Sequence, residues 1–165
     1  MRFLPLLFVL AGPLVATSPV LAQQAATAPT AVSWNTDLAA AMQQAKTTNR
    51  PVMAVFSGSD WCKPCIMLKQ EVLDKAEFEQ FAQSNLVLAR FDFPRSKKNK
   101  LSAEQTKQNE QAAAQLNKEG AFPLVVLLSP QGKVLAKTGY RPGGPAAYTD
   151  YLKTLLAKQT TTAAQ

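Results

Sequence analysis

The chain of 165 residues contains no histidine and only two cysteines. A zinc site usually needs about four ligands drawn mainly from cysteine and histidine, so no metal site is expected. The absence of histidine also excludes a Cys–His nucleophile and covalent haem attachment through a Cys-x-x-Cys-His run. Whatever chemistry the two cysteines support must therefore come from the pair itself.

Acidic residues are outnumbered, 11 against 18 lysines and arginines, which gives a formal net charge of +7. A mildly basic protein attracts acidic partners weakly through long-range electrostatics. The densest basic run is "RSKKNK" at residues 95–100, and no aromatic residues are interleaved with it. This composition favours a solvated loop over a nucleic-acid site, so no nucleic-acid partner is expected.

An uninterrupted apolar run that could span a bilayer is also missing. Arg2 precedes an apolar stretch at residues 3–16 that two prolines interrupt, and small residues frame a cleavage site at Ala22. This arrangement favours a cleaved signal peptide over residues 1–22 rather than an uncleaved anchor, and hence a periplasmic or secreted protein. We predict three further segments: a linker at residues 23–32, a globular domain at 33–158 and a flexible tail at 159–165.

The apolar patterns alternate between helical and extended segments. The strands are expected at residues 52–56, 86–93, 124–128 and 133–139. The helices are expected at residues 36–49, from the cysteines onward with a second piece from Asp74, at 103–118, and from Pro145 onward. Two capping boxes are predicted, Asp74 with Glu77 and Ser102 with Gln105. The early alternation of helices and strands implies parallel strand pairing, and the final hairpin implies an antiparallel edge. Together they predict a three-layer α/β/α fold with a mixed central sheet.

The two cysteines, Cys62 and Cys65, are separated only by Lys63 and Pro64. A disulfide that closes so short a loop removes little entropy from the unfolded chain, so a structural staple explains the pair poorly. Pro64 suits the first turn of a helix that begins at Cys62. The positive end of that helix and the cation of Lys63 both favour a thiolate at Cys62, so Lys63 and Pro64 are predicted to lower its pKa.

Cys65 lies one turn further along, on the same apolar stripe as Leu68 and Val72. We therefore expect an exposed attacking cysteine, Cys62, and a sheltered resolving cysteine, Cys65. An inert disulfide or a pair of quiet thiols remains the alternative, because spacing alone does not establish turnover.

The run "WCKPC" after a strand, together with "GAFPLVVLL" some sixty residues later, resembles the thioredoxin superfamily over about residues 33–157. The preceding residues, "FSGSD", are similar to its exported branch. The resemblance implies that Pro123 is the cis-proline beside the cysteines, that the backbone of Phe122 binds substrate, and that Trp61 flanks the sulfurs. Pro123 could instead be an ordinary proline at a strand start, and Trp61 could merely cover the core.

Two departures from the thioredoxin pattern stand out. Thioredoxin carries a buried acid in the strand before the motif, and Val55 occupies the matching position here. Asp60 is close in sequence, but it suits an N-cap or a solvated loop equally well. The segment 94–119 is longer than in thioredoxin and adds a polar helix, which either contacts a partner or is an exposed ornament.

The resemblance implies a thiol–disulfide oxidoreductase that needs no cofactor beyond the Cys62–Cys65 disulfide. Pro64 beside the second cysteine is typical of reducing members, whereas Lys63 favours the opposite direction by stabilising the thiolate. We expect a reductase of protein disulfides, supplied with electrons by a membrane-bound donor that the sequence does not identify. The alternatives are a disulfide oxidase or isomerase, and a redox-silent module that binds peptides at Phe122 and Pro123.

Overall fold

A computed structural model describes the backbone of residues 32–162 and the side chains as far as residue 158. The predicted signal peptide and almost all of the predicted linker therefore lie outside the described residues. Five strands form one sheet: β1 (Trp34–Asn35), β2 (Val52–Ser57), β3 (Val87–Asp92), β4 (Leu124–Leu128) and β5 (Val134–Thr138). Five α-helices surround it: α1 (Leu38–Thr48), α2 (Lys63–Leu68), α3 (Ala76–Asn85), α4 (Ala103–Leu116) and α5 (Gly144–Thr162).

The strand order in the sheet is β1-β3-β2-β4-β5. β2 and β1 each pair with β3 in parallel, whereas β4 is antiparallel to both β2 and β5. Because successive side chains of a strand point to opposite faces, β2 contributes to two apolar layers. Val52, Ala54 and Phe56 pack on one face and Met53 and Val55 on the other.

Helices cover both faces of the sheet. Alanines and a leucine of α1 and α4 complete one apolar layer, and residues of α2, α3 and α5 complete the other. The predicted three-layer α/β/α fold with a mixed central sheet is therefore confirmed. Within residues 32–162, no helix combines the length and the apolar character that crossing a bilayer requires.

The structure differs from the sequence-based prediction at several element ends. β1 was not predicted, because two residues are too few to show an alternating pattern; it pairs with β3 through Trp34 and Leu88. The second helical piece is present as α3, but the capping box at Asp74 is wrong. Asp74 ends the π-helical turn, Lys69–Leu73, that continues α2, and Lys75 is the N-cap of α3 without a side-chain hydrogen bond. The Asp74 carboxylate instead accepts a hydrogen bond from the Lys69 ammonium.

The second predicted capping box is half correct. Ser102 caps α4, and its hydroxyl accepts a hydrogen bond from the Gln105 N–H at 3.1 Å. The Gln105 side chain does not return to the cap. It donates to the Thr36 carbonyl and to the side chain of Asn109, so it ties α4 to the segment before α1. At the other end of the domain, α5 runs four residues beyond the predicted boundary at Lys158.

Candidate active site

The two cysteines lie where β2 ends and α2 begins, and they form a disulfide with a Cα–Cα distance of 5.2 Å. Cys62 is the N-cap of α2, and its Sγ accepts a hydrogen bond from the Cys65 N–H at 3.3 Å. The Cys62 N–H donates to the Gly58 carbonyl at 3.0 Å, which closes the turn between strand and helix. Pro64 stands in the first turn of α2, where a missing N–H costs no hydrogen bond.

Both cysteines are buried, and this corrects the expectation of an exposed Cys62. The exposed fraction is 5% for Cys62 and 2% for Cys65. The bridge holds the Cys62 sulfur back against the first turn of α2, where it accepts the N–H of its partner. Lys63 and Pro64, between them, are exposed. Since disulfide-bonded sulfurs do not titrate, the tuning role of Lys63 and Pro64 stays a prediction.

Three aromatic rings cluster around Trp61, the residue that precedes Cys62. Trp61 and Phe122 meet edge to face with their centroids 5.5 Å apart, and Phe122 meets Phe93 in the same way at 5.3 Å. The Trp61 indole N–H donates to the Phe93 carbonyl at 2.7 Å. The three rings therefore form one aromatic cluster that links the loop before Cys62, the residue after β3 and the residue before Pro123.

The peptide bond between Phe122 and Pro123 is cis. Pro123 precedes β4, whose first residue, Leu124, pairs with Phe56 at the end of β2 that leads to the cysteines. The structure thus brings Phe122, Pro123 and Trp61 to the end of the sheet that carries the disulfide. Their roles in binding substrate stay predictions. Sequence reasoning missed Phe93, although an aromatic residue just before Pro94 at a strand end was a usable signal.

Asp60 is not the N-cap of α2, since Cys62 caps that helix, and it lies half-buried in the loop before it. Its carboxylate accepts hydrogen bonds from the backbone N–H groups of Arg95 and Ser96, each at 2.9 Å, and from the Asn99 amide at 3.0 Å. These bonds, led by the one from Arg95, lower the pKa of Asp60 below its usual value. Asp60 therefore attaches the first part of the long 94–119 segment directly to the loop before Cys62.

A cavity of about 80 Å³ lies behind Cys65 and is lined in part by Val55, which is 1% exposed. Its ionisable lining groups are Lys69, Arg90 and Asp92. Burial lowers the pKa of Arg90. Both oxygens of Asp92 accept hydrogen bonds from Ser59, from its N–H at 2.9 Å and from its hydroxyl at 2.6 Å. At the position of Val55, the strand before the cysteines therefore presents an apolar side chain to this cavity. Within residues 32–162, no group of three metal-ligating side chains is found.

Comparison with known proteins places this site in a family. The family described as thioredoxin-like matches residues 33–130. The disulfide bond reductase DsbH of Chlamydia pneumoniae is 38% identical over 118 residues, which make up 72% of this chain and 69% of that protein. A solved structure of a DsbH oxidoreductase is 34% identical, with a TM-score of 0.71 over 86% of this chain and 95% of the other.

A thioredoxin from Thermus thermophilus is similar in fold alone. It is 16% identical, with a TM-score of 0.59 over 81% of this chain and 94% of the other. The matches to the family and to DsbH carry the assignment. The chain belongs to the thioredoxin-like family, and it is a thiol–disulfide oxidoreductase.

Proposed function

We propose that this protein reduces disulfides of other proteins, with Cys62 as the attacking residue and Cys65 as the resolving residue. The observation that carries the proposal is the bridge between these two cysteines at the first turn of α2, which directly follows Trp61 and its contact with Phe122. The similarity to a disulfide bond reductase supports the same direction.

The proposed reaction moves two electrons from the dithiol to the substrate. The Cys62 thiolate attacks one sulfur of the substrate disulfide, and that bond breaks as the other substrate sulfur leaves as a thiolate. Cys65, once deprotonated, attacks the Cys62 sulfur and releases the second substrate sulfur. The products are a reduced substrate and the Cys62–Cys65 disulfide, so no further cofactor enters the proposed cycle.

A reductase must be reduced again after each turnover. We propose that the site of action is the periplasm or the medium, as the pattern of residues 1–22 indicates. Disulfides persist in such compartments, so the electrons must come from a dedicated thiol donor, for which a membrane-bound protein is the proposed source. Pro64 beside Cys65 and the absence of histidine favour the reducing direction.

The equilibrium reduction potential of the Cys62–Cys65 pair tests the direction. It is titrated against defined thiol–disulfide buffers. Known potentials run from about −270 mV for thioredoxin to about −120 mV for the oxidant DsbA, and we expect a value in the lower half of this range. A value at the upper end would reverse the assignment toward disulfide formation or isomerisation. Failure to observe a reversible couple would leave only a peptide-binding role.

Cysteine variants test the two roles separately. Cys62→Ser should abolish the reduction of a model protein disulfide, and activity that survives this change would contradict the assignment. Cys65→Ala should instead accumulate mixed disulfides with substrate, because the resolving sulfur is missing. Cys65→Ala is the matched control for Cys62→Ser, since both variants lose the bridge but only one keeps the attacking sulfur.

A further inference from the structure

We propose that the first part of the long 94–119 segment is a docking surface for an acidic, extended stretch of the substrate protein. This inference rests on the proposed function and adds the chemistry of the substrate. The surface, here called the basic ledge, consists of Arg95, Lys97, Lys98 and Lys100, all of which are exposed.

The basic ledge is held in place by the active-site loop. Asp60, two residues before Cys62, accepts three hydrogen bonds from residues 95–99. The Ser96 hydroxyl also accepts the Lys98 N–H at 3.3 Å and caps a short 3₁₀ turn, Lys97–Asn99. A loop fixed at this many points presents its charges in a defined position relative to the disulfide.

The positive charges of the basic ledge are uncompensated within the part of the chain that the structure describes. None of its four cations takes part in the ion pairs found there, which involve other lysines. The nearby carboxylate of Asp60 is directed at backbone N–H groups and an amide, and that of Asp92 at Ser59. An acidic partner would therefore gain attraction without having to displace an existing ion pair.

The basic ledge begins next to the residue that precedes Cys62. The guanidinium of Arg95 lies over the indole of Trp61, 3.7 Å from the ring centroid, and Trp61 is the neighbour of Cys62. A chain whose cysteine reaches Cys62 can thus continue across Trp61 onto Arg95 and the lysines. The same contact covers a face of the indole that a nucleic-acid base would need for stacking.

An open pocket of about 250 Å³ lies along the basic ledge. Its apolar lining includes Phe93, Pro94 and Leu101, and its charged lining consists of Arg95, Lys97, Lys100 and the Asp92 carboxylate. Both oxygens of Asp92 accept hydrogen bonds from Ser59. A pocket lined by apolar side chains and three cations fits a peptide that carries one apolar side chain among acidic ones. This combination favours a polypeptide over a uniform polyanion, which has no apolar group to place there.

The test separates binding from redox activity. A fluorescent peptide without cysteine, containing several glutamates and one leucine, is titrated into the oxidised protein at low salt, and binding is followed by fluorescence anisotropy. A peptide with glutamine in place of each glutamate serves as the reference. We expect the acidic peptide to bind about tenfold more tightly than the reference, and raised salt to remove the difference.

Lysine variants test whether the acidic peptide binds at the basic ledge. Lys97→Glu/Lys98→Glu/Lys100→Glu should reduce binding of the acidic peptide to the level of the glutamine peptide, and the corresponding glutamine substitutions should weaken it less. A matched control, Lys46→Glu/Lys75→Glu/Lys133→Glu, makes the same change in net charge at exposed lysines of α1, the start of α3 and the turn before β5. It should change binding by less than about twofold. Equal effects of the two triple variants would overturn the proposal.

Two further measurements, with a small disulfide and with lipid vesicles, separate failure of the proposed function from failure of the docking proposal. Reduction of hydroxyethyl disulfide, a small uncharged substrate, should be unaffected by the lysine variants. If the unmodified protein fails to reduce it, the proposed function is wrong, while the binding data still decide the docking surface. Binding to vesicles of phosphatidylglycerol that is tighter than peptide binding and equally dependent on the three lysines would overturn the docking proposal in favour of a membrane contact.

Discussion

Gly58 is the position at which a single methyl group should disturb the site most. A Cβ atom on Gly58 would lie 2.3 Å from Cε2 and 2.6 Å from Nε1 of Trp61. Gly58 is not in the left-handed region, so alanine suits its backbone, and the three atoms nearest to the new Cβ all belong to the indole. The ring cannot move freely, because it donates to the Phe93 carbonyl, contacts Phe122 and carries Arg95 on one face.

The cost of Gly58→Ala follows from the contacts that a displaced indole gives up. The hydrogen bond to Phe93 is worth about 1 kcal/mol. The edge-to-face contact with Phe122 adds about 0.5–1.5 kcal/mol, and the cation–π contact adds about 0.5–1 kcal/mol. Against this, alanine in place of glycine reduces the entropy of the unfolded chain and stabilises by about 0.4–1 kcal/mol. We expect a net destabilisation of about 2 kcal/mol.

A double-mutant cycle in urea unfolding measures this effect. With a slope of about 2 kcal/mol per molar, Gly58→Ala should lower the midpoint by about 1 M. In a Trp61→Ala background the obstacle is gone, so Gly58→Ala should be neutral or stabilise by about 0.5 kcal/mol. Additive effects of the two substitutions, or a Gly58→Ala protein as stable as the unmodified one, would refute the argument that the indole is locked over Gly58.

Two further predictions concern buried polar groups. Burial is the main reason why the pKa of Tyr148 is raised above its usual value of 10.0. The stability that the phenol contributes is therefore complete below pH 10, and it is lost as the pH rises toward the pKa of the folded state. Tyr148→Phe removes a 3.0 Å hydrogen bond to the Gly139 carbonyl, so it should cost about 1 kcal/mol of stability at pH 7. It should also make the decline in unfolding free energy above about pH 10 shallower. Parallel curves of unfolding free energy against pH for the two proteins would contradict this. Asn109→Ala should cost about 2 kcal/mol in urea unfolding, because the buried amide joins α4 to the Asp92 carbonyl at 2.7 Å, whereas Gln108→Ala on the same helix should change little.

The layers of the fold were predictable because they depend on local periodicity. The apolar runs that became β2 and β4 are buried almost throughout, β3 is buried at four of its six residues, and their lengths are typical of strands in a mixed sheet. The cysteine pair was predictable for a similar reason, since strand, turn and helix follow one another without interruption from Val52 to Leu68. Within this stretch the positions of Cys62 and Cys65 depend on neighbours that are close in sequence.

Other features were not predictable because their partners are distant in sequence. Asp60 bonds to residues 35 to 39 positions away, and Trp61 donates to a carbonyl 32 positions away. Neither residue carries a local signal that distinguishes these contacts from a cap or a surface position. The burial of Cys62 was missed because a residue at a helix start is ordinarily exposed, whereas the Cys62 sulfur is bridged to Cys65 and accepts the Cys65 N–H.

The adjacent residues Asp60 and Trp61 attach the first part of the long segment to the loop before Cys62. Asp60 holds the backbone of Arg95 by accepting its N–H, and Trp61 receives the guanidinium of the same residue on its ring. Arg95 is thus fixed by both of its ends to the two residues that precede Cys62. A substitution at Arg95 therefore acts on the loop before Cys62 through contacts that already exist, and substitutions at Asp60 should affect the placement of the basic ledge before they affect the sheet.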